Sequence, residues 1–192
     1  MFYLILGLLV FLGVHSIRIF ADDLRTRRIA ALGLPKWKAI FALLSLAGLV
    51  LMAYGFGIAR MTPVVLWEGA KWARDAAGLF TLVSFVLIAA AYVPSSRIRA
   101  LVGHPMVIGV KIWALGHLLA NGNLNDVLLF GAILAWAVMD YRSLRQRDRA
   151  AGTTRDPGSW ANDIITIIVA VVAWYVFALY MHRVLIGVAP FG

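Results

Sequence analysis

Six side chains stand out because apolar sequence surrounds them: His15 and Arg18 near the N-terminus, then His104, Lys111, Trp113 and His117 in the run from His104 to Gly122. That run places two histidines and a lysine in a segment about as long as a membrane span. A charged group in hydrocarbon costs roughly 2.5–3.5 kcal/mol on insertion scales, so ionisable residues at membrane depth usually face a protein interior, a cavity or a cofactor. Chemistry is therefore to be sought here.

Spacing sorts these residues. His104 and His117 are thirteen positions apart, which on one helix means roughly 20 Å of rise and nearly opposite faces. They cannot ligate one metal atom together, and the other histidines are His15 and His182. His15 and Arg18 project from the same side of a helix, with Asp22 one turn further to pair with Arg18. A histidine for iron and a cation one turn away for a propionate is the layout that a b-type haem between helices needs. Lys111 is a second candidate cation, and Trp113 lies on the face of His117. The plainer alternatives are an interhelical hydrogen bond for each lone histidine and a capping role for His104, which precedes Pro105. Gly109 and Gly116 share a face and read as a site of close helix packing.

These residues must be held by a membrane scaffold. The chain of 192 residues is 62% hydrophobic and 14% charged, with mean hydropathy +0.87, whereas soluble proteins carry about a quarter charged residues. The net charge of +9 does not indicate nucleic acid, because the arginines sit in short loops between apolar runs. Cysteine is absent, which excludes disulfides, iron–sulfur clusters and thiolate-bound haem. Asp140 and Asp163 fall at span ends, Asp126 in a tight hairpin and Glu68 in a loop. No central carboxylate relay supports a proton pump, and a di-iron site would want more acidic ligands. No serine sits in a nucleophile-elbow context.

Six segments, roughly 2–20, 38–57, 77–94, 104–120, 124–141 and 163–182, have the apolarity and the length of about 17–20 residues expected of spanning helices. The predicted fold is all-α, a polytopic membrane helix bundle of about six transmembrane helices in one domain over residues 1–192. The first apolar run reads as a retained span, since no basic stretch precedes it. Pro94 closes the third span and Pro105 opens the fourth. Twelve Lys and Arg lie in the first, third and fifth loops, including Arg25, Arg97 and Arg142–Arg149, against four on the opposite side. Both termini are thus expected on the non-cytoplasmic side. The second loop, with Trp67 and Trp72 among alternating charges, reads as an interfacial segment lying flat or as aromatic-belt residues.

The same residues carry a resemblance to the NnrU family of bacterial membrane proteins and, through it, to the plant zeta-carotene isomerases. It runs nearly end to end, through Val14-His-Ser and the Arg-rich loop after it. His104-Pro with Gly109, Trp113 and His117 follows, then Asn121-Gly, Asp140 with Arg142, and His182-Arg-Val-Leu-Ile-Gly-Val-Ala-Pro. The resemblance implies a multi-pass protein of the bacterial inner membrane linked to nitrogen-oxide respiration. It further implies haem b with axial ligands at His15 and His117, and chemistry on a hydrophobic substrate.

Depth bears on the ligand pair. His15 and His117 match if the first span continues as helix toward Arg25 and Pro105 lies outside the hydrocarbon; otherwise His104 becomes the better partner of His15. The leading reading is a haem b protein with iron between the first and fourth spans, where Arg18 and Lys111 meet propionates and Trp113 packs on the ring or a substrate. It would act as a cis–trans isomerase or redox protein, or bind nitric oxide. The alternative is a non-catalytic membrane sensor or assembly factor for nitrite and nitric oxide reductase expression.

Overall fold

The computed structural model describes residues 1–191, and these are helical throughout apart from short connections. In chain order the helices are α1 (Phe2–Phe20), α2 (Asp22–Leu32), α3 (Leu34–Ala59), α4 (Lys71–Tyr92), α5 (Arg97–Val102), α6 (Pro105–Ala120), α7 (Leu124–Ala151), α8 (Trp160–Val176) and α9 (His182–Ile186), with a π turn at Phe177–Met181. Helices are what apolar sequence must form in lipid, since each backbone group is then paired within its own segment. Five are long and apolar enough to cross a membrane: α1, α3, α4, α7 and the continuous run from Trp160 to Ile186. The sixth, α6, has 16 residues, about 24 Å of rise against a hydrocarbon core of about 30 Å. Outward side chains such as Leu43, 68% exposed, and Leu79, 66% exposed, suit a hydrocarbon solvent. The protein is a helical membrane protein.

The helices gather into two compact units. The first holds residues 1–68 and 122–140, the second residues 69–121 and those from Tyr141 onward. In the first unit α1 lies against α3 at backbone contact. A Cβ added to Gly48 would come within 2.7 Å of the Phe11 nitrogen, and one on Gly7 or Gly55 would strike the backbone of Met52 or Leu4. Small residues let two helices approach this closely where lipid gives no hydrophobic drive for association. Leu4, Leu8 and Met52 are buried along the seam.

In the second unit α4 packs against both α6 and α8. Gly109 and Gly116 do face α4: a Cβ on Gly109 would lie 3.0 Å from the Ser84 carbonyl oxygen, and one on Gly116 2.9 Å from the Phe80 Cβ. Buried Asp163, in the first turn of α8, accepts from the Ile98 backbone N–H at 3.1 Å and holds α5 in place. Trp174 of α8 donates from Nε1 to Thr81 Oγ1 of α4 at 3.1 Å.

The first span ends at Phe20, as its apolar run predicts, and does not continue as helix toward Arg25: Ala21 leaves helical geometry (φ −144°, ψ 45°) and Arg25 belongs to the separate helix α2, where Asp22 and Asp23 supply the acidic first turn. Other expectations are corrected. The basic segment Arg142–Arg149, read as loop, is the end of the 28-residue α7. It contains good helix formers and no glycine or proline before Gly152. The Trp67 segment is tied down by backbone bonds: Leu66 and Trp67 donate N–H groups to the Gly122 carbonyl at 2.8 and 3.2 Å, and helix resumes only at Lys71. His104 occupies the N-cap of α6 without making a side-chain cap bond.

Candidate functional site

His15 sits on α1 within the first unit, half-buried among aromatic rings. Phe11 lies at 4.2 Å between ring centroids, Phe41 of α3 at 5.0 Å and Trp136 of α7 at 5.9 Å. Its Nδ1 donates to the Phe11 carbonyl oxygen at 2.7 Å. A carbonyl can only accept, so Nδ1 carries a proton, and Nε2 is the nitrogen left to offer a lone pair to a metal. Trp136, which packs on it, has its Nε1 buried without a hydrogen-bond partner, and so does Ser45 Oγ, one turn beyond Phe41 on α3. Such orphans are rare in folded proteins and each needs a reason, an absent ligand among them. Arg18 follows one turn after His15, at the exposed end of α1, with its Nε 3.9 Å from Asp22 Oδ1; Asp22 also meets Arg25 Nη1 at 3.5 Å.

His117 lies on α6 in the second unit with the same local geometry. Its Nδ1 donates to the Trp113 carbonyl oxygen at 2.8 Å, and the Trp113 and His117 rings are 4.8 Å apart. Nε2 is therefore again the nitrogen left to offer a lone pair. A histidine whose Nδ1–H is tied to a backbone carbonyl is held in orientation and made a stronger donor through Nε2, the usual support of a metal-binding imidazole.

His104 differs. Its Nε2 is 2.8 Å from Asp148 Oδ2 and 3.4 Å from Arg155 Nη2, and Arg155 Nη2 also donates to Asp148 Oδ2. Facing a carboxylate, that nitrogen is the donor, so the atom best placed to reach a metal is committed to Asp148. Asp148 stands about two turns beyond the apolar part of α7. The Arg155 hydrogen bond holds its carboxyl below the usual carboxylate range; desolvation opposes this, and the His104 hydrogen bond and charge reinforce it. Gly103 makes room for the guanidinium, since a Cβ there would lie 3.0 Å from the Arg155 Cζ, at a φ of +79° that side chains rarely adopt.

Lys111 places its Nζ 3.9 Å over the Tyr141 ring, a cation–π contact. His182 donates from Nδ1 to the Val188 carbonyl at 2.7 Å and meets Phe177 edge-on. Within the first unit, then, the fold assembles His15, Phe11, Phe41 and Trp136; within the second it joins Trp113 to His117, Lys111 to Tyr141, and His104 to Asp148 and Arg155. Phe41, Ser45, Trp136, Asp148 and Arg155 were not singled out by sequence reasoning. Only the orphaned indole could have been suspected, as a tryptophan N–H in an otherwise apolar helix. Among the described residues no three His, Asp or Glu side chains converge on one metal position.

No curated protein and no solved structure matches the chain. A family model does: the one described as NnrU protein matches residues 3–190, nearly the whole length, and the chain belongs to the NnrU family.

Proposed function

We propose that this NnrU protein binds haem b, with His15 and His117 as the histidines offered to iron, and that it serves nitrogen-oxide respiration in the bacterial inner membrane. The observation that carries the reading is the shared ring geometry. Both histidines spend Nδ1–H on the carbonyl one turn earlier, at 2.7 and 2.8 Å, and so keep Nε2 as the lone-pair nitrogen. His104 points its corresponding nitrogen at Asp148 instead. The orphaned Trp136 Nε1 and Ser45 Oγ fit a cofactor or substrate carrying acceptors, and Phe11, Phe41 and Trp136 supply apolar walls. Arg18 is the residue for a propionate, Trp113 packs beside the ring of His117, and Lys111 is a second cation.

Bound haem would supply one-electron chemistry or an open iron position able to bind nitric oxide or polarise an alkene. The chain's own contribution is to orient the imidazoles, exclude water with aromatic side chains and neutralise the carboxylates. A hydrophobic substrate reached from lipid, and a cis–trans isomerisation or redox change of it, is the activity this supports.

The charge pattern supports a sixfold crossing with both termini outside the cytoplasm. If α6 did not cross, Arg142–Arg149 would emerge opposite Arg25–Arg28 and Arg97–Arg99, against the rule that basic loops share the cytoplasmic side. The test of the cofactor is direct: protein purified in mild detergent, with haem available during expression, shows stoichiometric haem b. A colourless preparation that takes up no added haem defeats the reading.

A further inference from the structure

The haem reading leaves the polar end of α7 without a task. At 28 residues that helix is about 42 Å long, against about 30 Å of hydrocarbon. Its final stretch, 141–151, carries Arg142, Arg145, Arg147 and Arg149 with a single carboxylate, Asp148. Tyr141, Arg142, Arg145, Gln146 and Arg149 occupy one stripe of the helix and line an open cavity of about 420 Å³. Sites for small ligands run from about 300 to 1,000 Å³.

Charge balance in this cavity is incomplete. The side chains of Arg142 and Arg149 have no hydrogen-bond or ion-pair partner among the described residues. Arg145 reaches Asp148 only at 3.9 Å, and the same Asp148 oxygen is already taken by Arg155 and by His104 at 2.8 Å. Lys111 adds a further cation at the Tyr141 wall, 3.9 Å from its ring. Arg147 is turned to Ser143 Oγ at 2.6 Å. Three guanidinium groups around one cavity, with the nearby carboxylate committed elsewhere, call for an anion with several acceptor oxygens, and phosphate matches the planar guanidinium fork.

Position selects the source of the phosphate. The cavity begins at Tyr141, directly after the apolar part of α7 ends. There an aromatic ring marks the interface and the arginines that follow stand at headgroup level. We propose that Arg142, Arg145 and Arg149, with Gln146 and Tyr141, form a binding site for the phosphate headgroup of an anionic phospholipid. This stands apart from the haem reading and survives its failure.

The full-length protein in mild detergent, titrated with phosphatidylglycerol or phosphatidylcholine and followed by native mass spectrometry, tests it. Wild type is expected to retain phosphatidylglycerol in preference to phosphatidylcholine. Arg142→Ala/Arg149→Ala lowers that retention about tenfold or more, while Arg27→Ala/Arg28→Ala, an equal loss of charge on α2, leaves it unchanged. The side chains of Arg142 and Arg149 bond nothing among the described residues, so their loss leaves the helices intact; Arg142→Gln/Arg149→Gln repeats the test without the alanines. Equal retention in the α7 variants overturns the proposal. So does an equal fall in the α2 variant, which would mean diffuse attraction, or displacement of the lipid by millimolar inorganic phosphate, which would mean a soluble anion.

Discussion

The ring of His15 donates its Nδ1 proton to the carbonyl oxygen of Phe11 at 2.7 Å, and this one bond decides which nitrogen can face a cofactor. It also holds the imidazole plane against the helix that bears it, so that Phe41 and Trp136 can close around the ring. A ring free to turn would lose orientational entropy on binding iron; this one has lost much of it already on folding.

Trp136 separates a cofactor pocket from an ordinary core. Its buried Nε1 has no partner, and an unsatisfied buried donor costs about 1–3 kcal/mol. Trp136→Phe removes the donor and keeps an aromatic ring. Thermal unfolding of the haem-free protein in detergent is expected to show unchanged or higher stability, while haem retention falls. Lower haem-free stability with undiminished haem uptake would assign the indole to packing alone.

The seam between α1 and α3 makes a prediction about packing within one helix. At Gly48 an added Cβ meets the Phe11 backbone at 2.7 Å, whereas at Gly57 nothing lies within 4 Å. Gly48→Ala is expected to destabilise by about 1–3 kcal/mol through overpacking. Gly57→Ala should stabilise by up to about 1 kcal/mol, the ordinary gain of replacing a helical glycine. Denaturation midpoints of the two variants in the same detergent check the difference in sign.

Asp148 links stability to pH. Its carboxyl is held below the usual range chiefly by Arg155, so its contribution is complete above the ordinary carboxylate value and disappears as pH falls through the lowered one. The thermal midpoint of Asp148→Asn is expected below that of wild type by a gap that stays constant from about pH 7 down to about pH 4 and closes only in stronger acid. A gap already closing near pH 6 would point to a different titrating group.

Much of this was legible along the chain, because lipid simplifies the code. Apolar runs must be helices, and Gly109 with Gly116 marked the face of α6 that meets α4 before any partner was known. The parts that were not legible depend on contacts distant in sequence. Nothing near His104 in the chain announces Asp148, 44 positions away, and that pairing alone separates His104 from His117 as a ligand. Arg142–Arg149 reads as a loop by its density of positive charge, yet the stretch holds no helix breaker and its residues favour helix. The end of α1 at Phe20 was legible as the end of an apolar run, whereas the separate helix α2 that Asp22 and Asp23 begin was not. Continuity of α1 was the premise that matched the depths of His15 and His117. With it gone, the choice of ligand rests on which ring nitrogen each histidine has left to give.

The optical spectrum of the purified protein, oxidised and reduced, compared among wild type, His15→Ala, His104→Ala and His117→Ala, bears on the central claim most directly. Wild type is expected to show the low-spin signature of haem b with two histidine ligands, lost in His15→Ala and His117→Ala and kept in His104→Ala. A low-spin spectrum that survives loss of His15 or His117, or one that vanishes with His104, would contradict the account.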